Sequence, residues 1–204
     1  VFQPELRRAL EELGQKNIVS TLIPFDDTRN QNERFSERSI NEIVKATVEM
    51  AKVKTGALII IEKDIDLSEY ERTGIELDST ISSQLLINIF EHNTPLHDGA
   101  VIIRGDRIVS ATCYLPLSDN MGLSKELGTR HRAGVGISEV TDSLTIIVSE
   151  ETGSISVAVG GMLKRHLAPD TLERLLRNEL MPRQDEGEVN RSWLSGLFKF
   201  GKGE

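Results

Sequence analysis

The chain has 204 residues, 38% of them hydrophobic, and a formal charge of −8 at pH 7. That length suits one domain of ordinary size with short appendages, and it allows a real core without disulfides or structural metals. The acidic balance argues against a duplex-binding face, so no nucleic-acid partner is expected, and the single cysteine, Cys113, excludes an intramolecular disulfide.

Pro4 to Leu13 reads as a short helix. Pro4 fits the first helical position, Leu6, Leu10 and Leu13 share a face, and Gly14 can stop it. Asn17 to Phe35 reads as a polar loop. A strong helix is predicted over Glu37 to Lys52, where Ile40, Ile43, Val44, Thr47, Val48 and Ala51 recur at helical spacing and Ser36 or Ser39 can cap it. Gly56 to Ile61 is a continuous apolar run, as expected of a strand buried on both faces. Leu67 to Arg72 is a polar connection with room for a helical turn, ended by Gly74. Ser82 to Glu91 reads as a helix with Leu85, Leu86, Ile89 and Phe90 inward, broken by His92-Asn93-Thr94-Pro95.

Ala100 to Ile103 and Arg107 to Leu115 read as a hairpin joined by Arg104-Gly105-Asp106. Alternation puts Ile108, Ser110, Thr112 and Tyr114 on one face of its second strand, and Val109, Ala111, Cys113 and Leu115 on the other. Cys113 is expected to be a buried structural thiol. After a loop over Pro116 to Glu126, Thr129 to Ser138 reads as a helix capped by Thr129, weakened by Gly134 and Gly136. Leu144 to Val148 and Ile155 to Val159 form a second strand pair around Glu150-Glu151-Thr152-Gly153, and Gly160-Gly161 ends it. Pro169 to Leu180 is a helix with Leu172, Leu175 and Leu176 inward, and a polar tail closes on Trp193-Leu194 and Leu197-Phe198. The order implies an α/β fold: a single globular domain with a central mixed β-sheet and helices on both faces. No apolar run reaches the ~18 residues that cross a bilayer.

Two polar clusters carry the candidate chemistry. In Leu96-His97-Asp98-Gly99-Ala100, an imidazole and a carboxylate at one bend can both reach a divalent cation. Asp98 is the harder oxygen ligand, suited to magnesium or manganese. Gly99 and Ala100 lack bulk, so a sugar or base can lie against the backbone. Taken alone, Asp98-Gly99 is equally a common turn before a strand. In Gly128-Thr129-Arg130-His131-Arg132, a helix start offers unpaired N–H groups to phosphate. Cations there run against the helix dipole, a departure from local preference of the kind that marks sites. Arg130 and Arg132 diverge on a regular helix, so both do not meet one oxygen. Glu150 and Glu151 lie at a strand end, where they suit either a site or a solvated turn. Tyr114 can stack on a base or pack on the sheet.

The triplets Asp98-Gly99-Ala100 and Arg130-His131-Arg132, in this order and spacing and with the flanks Leu96-His97 and Gly128-Thr129, resemble the paired motifs of diadenylate cyclase (DAC) domains. The resemblance extends from about Phe35 to Leu163, and the segments around it look like the membrane-anchored bacterial CdaA type. It implies an enzyme that joins two ATP molecules into cyclic di-AMP and releases two pyrophosphates, each subunit of a face-to-face homodimer holding one ATP. It implies that Asp98, with His97, holds Mn2+ or Mg2+, and that Asp98 prepares the ribose 3′-hydroxyl. Thr129, Arg130 and His131 would hold phosphates, with Arg132 beside them. Gly99 and Ala100 would line the nucleotide, Tyr114 and Leu115 would contact adenine, and Ser149 and Glu151 would complete the site. Asp98, Arg130 and His131 would carry the catalysis.

The domain plan expected from the resemblance is a juxtamembrane helix and loop over residues 1–35, the catalytic domain over 36–180 and a polar tail over 181–204. An N-terminal anchor preceding Val1 would hold the domain on the cytoplasmic side of the membrane. Relatives of this type are associated with a membrane regulator and an amino-sugar phosphate mutase. The rival from another class is a nucleotide-sensing module that binds ATP or cyclic di-AMP without chemistry; it would keep the phosphate cluster and has no need of Asp98.

Overall fold

The computed structural model describes residues 35–124 and 126–181. The helix expected over Pro4 to Leu13, the loop that follows it and the polar tail lie outside the described residues. The first described helix, α1 (Glu37–Val53), starts where Ser36 accepts the Ser39 N–H at 3.2 Å and stops where Lys54 turns left-handed. Of the two serines expected as caps, Ser36 is the one that serves. Its apolar stripe (Ile40, Ile43, Ala46 and Met50) is fully buried. There follow β1 (Ala57–Ile61), α2 (Ser68–Glu71), β2 (Ile75–Thr80), α3 (Ser83–Phe90), β3 (Ala100–Arg104) and β4 (Arg107–Cys113). The chain continues through α4 (Thr129–Val140), β5 (Leu144–Val148), β6 (Ile155–Val159), β7 (Met162–Lys164) and α5 (Pro169–Leu180).

The seven strands form one mixed sheet in the order β2-β4-β3-β1-β5-β6-β7. β1 at its centre runs parallel to β3 and antiparallel to β5. Every residue of β1 and β5 is buried, which an apolar run covered on both faces requires. Ile59 and Ile61 face the core made with α1, α3 and α5, and Leu58 and Ile60 face the one under α4 and α2. Each such isoleucine, fully removed from water, contributes roughly 1.5–3 kcal/mol. The expected mixed sheet with helices on both faces is the observed architecture.

Two strands are not among the expected elements, and one local expectation is corrected. Past the polar connection over Leu67 to Arg72, whose helical turn is α2, the chain forms β2. Ile75 and Leu77 alternate with Glu76 and Asp78, but Ile75 is exposed and only Leu77 packs on the first core, so as an edge strand β2 is held mainly by pairing to β4. Gly160-Gly161 ends β6 after Val159 as expected, but the sheet runs on. With φ of 56° and 76° the two glycines make the tight turn of a hairpin that runs on into β7. The strict alternation expected in β4 fails because its pairing with β3 slips: Ala100 opposes Cys113, Ile102 opposes Ser110, and Ile103 opposes Ile108. Ile108 and Ala111 therefore share the first core, while Cys113 joins the second. Cys113 is buried as expected, and desolvation pushes its thiol above the usual range.

Candidate active site

Strand register gathers the two polar clusters at one end of the sheet. Ala57 opposes Val148, and Ala100 opposes Cys113, so the starts of β1 and β3 and the ends of β4 and β5 lie together. β7 runs back toward the same end and leads into Arg165.

The Asp98 turn is fixed from both sides. The His97 Nδ1–H donates to the Thr94 carbonyl at 2.6 Å, a backbone bond of the kind that orients a metal-binding imidazole and leaves Nε2 as its ligand atom. Asp98 beside it is exposed. One imidazole nitrogen and one carboxylate suit Mn2+ or Mg2+ when phosphate or water oxygens complete the set. Gly99 has φ +109°, and a Cβ there would stand 2.7 Å from the Thr112 carbonyl carbon. Thr112 is itself left-handed, at φ 59°, within the irregular stretch of β4, so that irregularity seats the turn. Ala100 is buried as the first residue of β3.

Glu62, Asp66 and Glu71, at the other end of β1 and β3, also lie close enough together to hold a cation. Glu62 and Glu71 both bond Arg104, and Asp66 lies 3.5 Å from it, so their charge already meets a guanidinium.

α4 opens on the second cluster. Its N-cap is Gly128 and no side chain caps it. Thr129, the expected cap, is instead the first helical residue and is exposed to solvent. A Cβ at Gly128 would meet nothing within 4 Å, so the uncapped helix start is open to a ligand. Arg130 joins the clusters: Nη1 donates to Glu150 Oε2 at 2.5 Å, and Nη2 donates to the His97 carbonyl at 3.5 Å. Glu150 offsets the cation that the helix dipole disfavours. Gly56, just before β1, makes room for this pair, since a Cβ there would stand 2.7 Å from Arg130 Nη1.

His131 is only 7% exposed, and its Nε2 has no hydrogen-bond partner among the described residues. Burial, and then the nearby Arg165 charge, hold its pKa below the ordinary imidazole value. Arg132 is half-buried, and its carbonyl accepts the Ser118 N–H at 3.0 Å, tying the loop after β4 to α4. Gly134 and Gly136 bring the helix close to its neighbours: added Cβ atoms would meet Thr145 at 2.9 Å and the Pro116 carbonyl at 2.2 Å.

A cleft of about 380 Å³ lies between the start of α4 and the β5–β6 turn. Arg130, His131, Ser149, Glu151 and Arg165 are among its lining residues. Ser149 Oγ accepts the Thr152 N–H at 3.2 Å, which shapes the turn. Asp98, Gly99, Ala100, Tyr114, Leu115, Thr129 and Arg132 do not line it; the Asp98 turn meets it through Arg130. Tyr114 is 71% exposed, with its N–H donating to Thr73 Oγ1 at 2.8 Å, and Leu115 packs partly into the second core. Three members of this arrangement are not legible in the sequence: Gly56, Arg165, and Glu150 as the partner of Arg130. The apolar run after Gly56 signals only a strand, and Arg165 follows a strand that the Gly160-Gly161 pair conceals.

A family model described as the DisA bacterial checkpoint controller nucleotide-binding (DAC) domain matches residues 44–163. The chain belongs to the DAC domain family. The matched stretch takes in both motifs and ends inside β7, just short of Arg165. A diadenylate cyclase of Listeria monocytogenes is 56% identical over 181 residues, which are 89% of this chain and 64% of that protein. The cyclic di-AMP synthase CdaA of Bacillus subtilis is 51% identical over 196 residues, 96% of this chain and 70% of that protein. The chain thus spans less than two thirds of the Listeria relative. The crystal structure of a double mutant of DacA from Staphylococcus aureus superposes with a TM-score of 0.70 at 53% identity, over 72% of this chain and 97% of that one. A hypothetical membrane-spanning protein of Bacillus cereus superposes with a TM-score of 0.63 at 41% identity, over 66% of this chain and 65% of that one. No helix among the described residues of this DAC domain is long and apolar enough to cross a membrane.

Proposed function

We propose that this chain is the catalytic part of a diadenylate cyclase. It condenses two ATP molecules into cyclic di-AMP and two pyrophosphates. The observation that carries the reading is the reach of Arg130 from the uncapped start of α4 to the carbonyl of His97. It places a phosphate-type helix start against the turn that bears Asp98. A pure nucleotide sensor would need the first of these and not the second.

The ribose 3′ oxygen of one ATP bonds to the α-phosphorus of the other. The bond from that phosphorus to the β-bridging oxygen breaks, pyrophosphate leaves and the hydroxyl proton is lost. The same step in the opposite sense closes the ring. Asp98 accepts a hydrogen bond from the 3′-hydroxyl and orients it. Arg130, His131, Thr129 and Ser149 hold phosphate oxygens where negative charge develops, with Arg132 and Glu151 at the margins. Gly99 and Ala100 let the nucleotide lie against the backbone, and Tyr114 and Leu115 meet the adenine. Asp98 and His97 would hold a divalent ion, Mn2+ or Mg2+, which would supply neutralisation of the α-phosphate charge.

One chain carries one set of these residues, so the reaction takes two chains face to face, and positioning both ATPs replaces a bimolecular encounter. Within the longer protein, residues 36–180 form the catalytic domain, residues 1–35 lead to a membrane anchor, and the domain faces the cytoplasm. The name of the Bacillus cereus relative supports the anchor. The test is incubation with ATP and Mn2+ or Mg2+, followed by mass detection of cyclic di-AMP. ATP binding with no product under either metal would favour the sensor.

A further inference from the structure

Two buried nitrogens with no hydrogen-bond partner among the described residues belong to residues that line the same cleft: His131 Nε2 and Arg165 Nε. Leaving a buried donor without a partner costs about 1–3 kcal/mol, so a folded protein that keeps two such nitrogens beside one cleft has a use for them. Among the described residues no carboxylate forms an ion pair with Arg165, although Glu150 and Glu151 line the same cleft. Arg130 differs, since Glu150 already engages it. The uncommitted cation is therefore Arg165.

Its position is built. The Gly160-Gly161 turn sends β7 back along β6 in register, with Val157 opposite Lys164. Just past Arg165, the Leu167 N–H bonds the Ile155 carbonyl at 2.9 Å and pins the segment to the start of β6. Arg165 is thus held between two anchored points at the sheet end where the cleft opens. It also lies near enough to His131 to act on its charge. A cation and a buried neutral imidazole with an unused ring nitrogen suit a polyanion.

We infer that Arg165 holds the terminal phosphates of the nucleotide, together with His131, and so sets the preference of the site for a triphosphate over a monophosphate. This rests on the reading of the cleft as an ATP site. Arg130, which reaches the Asp98 turn, serves the α-phosphate end, while Arg165 serves the end that departs as pyrophosphate.

The test compares the binding of ATP and AMP by calorimetry to the wild-type chain and to Arg165→Gln, with thermal unfolding to check that the variant is folded. A lost charge-assisted hydrogen bond lowers affinity about 10–100-fold. The expected result is a loss of that size for ATP, with AMP affinity kept within about twofold. Unchanged ATP affinity, or an equal loss for both nucleotides, overturns the inference. Should the glutamine variant not fold, Arg165→Lys keeps the charge and loses the fork. A smaller loss confined to ATP is then expected, and an unselective or absent loss counts against it. Cyclic di-AMP formation by the wild type is read separately by mass, so a failure of the cyclase reading is distinguishable. Absence of ATP binding by the wild type would sink both.

Discussion

In the proposed reaction Asp98 and Arg130 have different work, and their substitutions would separate it. Asp98→Asn keeps the shape of the turn and removes the charge. The protein should fold and still bind ATP, with product formation down at least about 100-fold, since charge stabilisation at a reacting phosphate is worth several kcal/mol. Wild-type turnover in that variant would remove Asp98 from the chemistry. Arg130→Ala breaks two contacts at once, to Glu150 and to the His97 carbonyl. ATP affinity or turnover should fall about tenfold or more, and unchanged values for both would return Arg130 to the surface. His131 gives a pH test. Its folded pKa lies below the ordinary value, because of burial and then Arg165. As the pH drops below about 6.5 the unfolded chain takes up the proton first. Stability is therefore unaffected above that value and falls with falling pH down to the depressed folded value. Urea unfolding at pH 7.5 and 5.5 should show a smaller loss in His131→Asn than in wild type; equal losses would reject the assignment. Residue types and spacing make Asp98, Arg130 and His131 legible in the sequence. Arg165 is not, because a lone arginine after a three-residue strand carries no pattern.

At the scale of elements, α4 is legible as a helix, while its glycines read as weaknesses. The fold shows why they are there. A methyl group at Gly136 would press 2.2 Å from the Pro116 carbonyl, and that loop is already tied to α4 by the Ser118 N–H and by Ser118 Oγ–H donating to Glu139 at 2.6 Å. Gly136→Ala should cost about 1–3 kcal/mol of stability, measured by urea unfolding. A cost near zero would mean that the loop yields freely. The helices with strong apolar stripes, α1, α3 and α5, are legible almost to the residue, since a stripe together with a serine cap (α1, α3) or a proline in the first turn (α5) states both length and face. β2 and β7 are hidden because edge strands owe their existence to a partner's hydrogen bonds. The slip in β4 is hidden for a related reason: register belongs to a pair of strands, and one strand's alternation cannot contain it.

At the scale of the whole molecule, the mixed sheet with helices on both faces can be read from element order, because apolar runs without alternation demand cover on both sides. Pairing order cannot, since β1 joins β3 and β5 from distant parts of the chain. If two chains share one reaction, turnover per chain should fall as the protein is diluted into a monomeric state tracked by light scattering. Constant turnover in a monomeric sample would reject the two-chain mechanism.

The central place of β1 has a further consequence. Gly56, the Asp98 turn, the start of α4, the β5–β6 turn and Arg165 are far apart along the chain and meet only after the sheet has closed around β1. A nucleotide that touches several of them behaves as a removable cross-link across the fold. At a hundredfold excess over its dissociation constant it should add about 2.7 kcal/mol to global stability. It should also slow amide exchange in the central strands, far from where it sits.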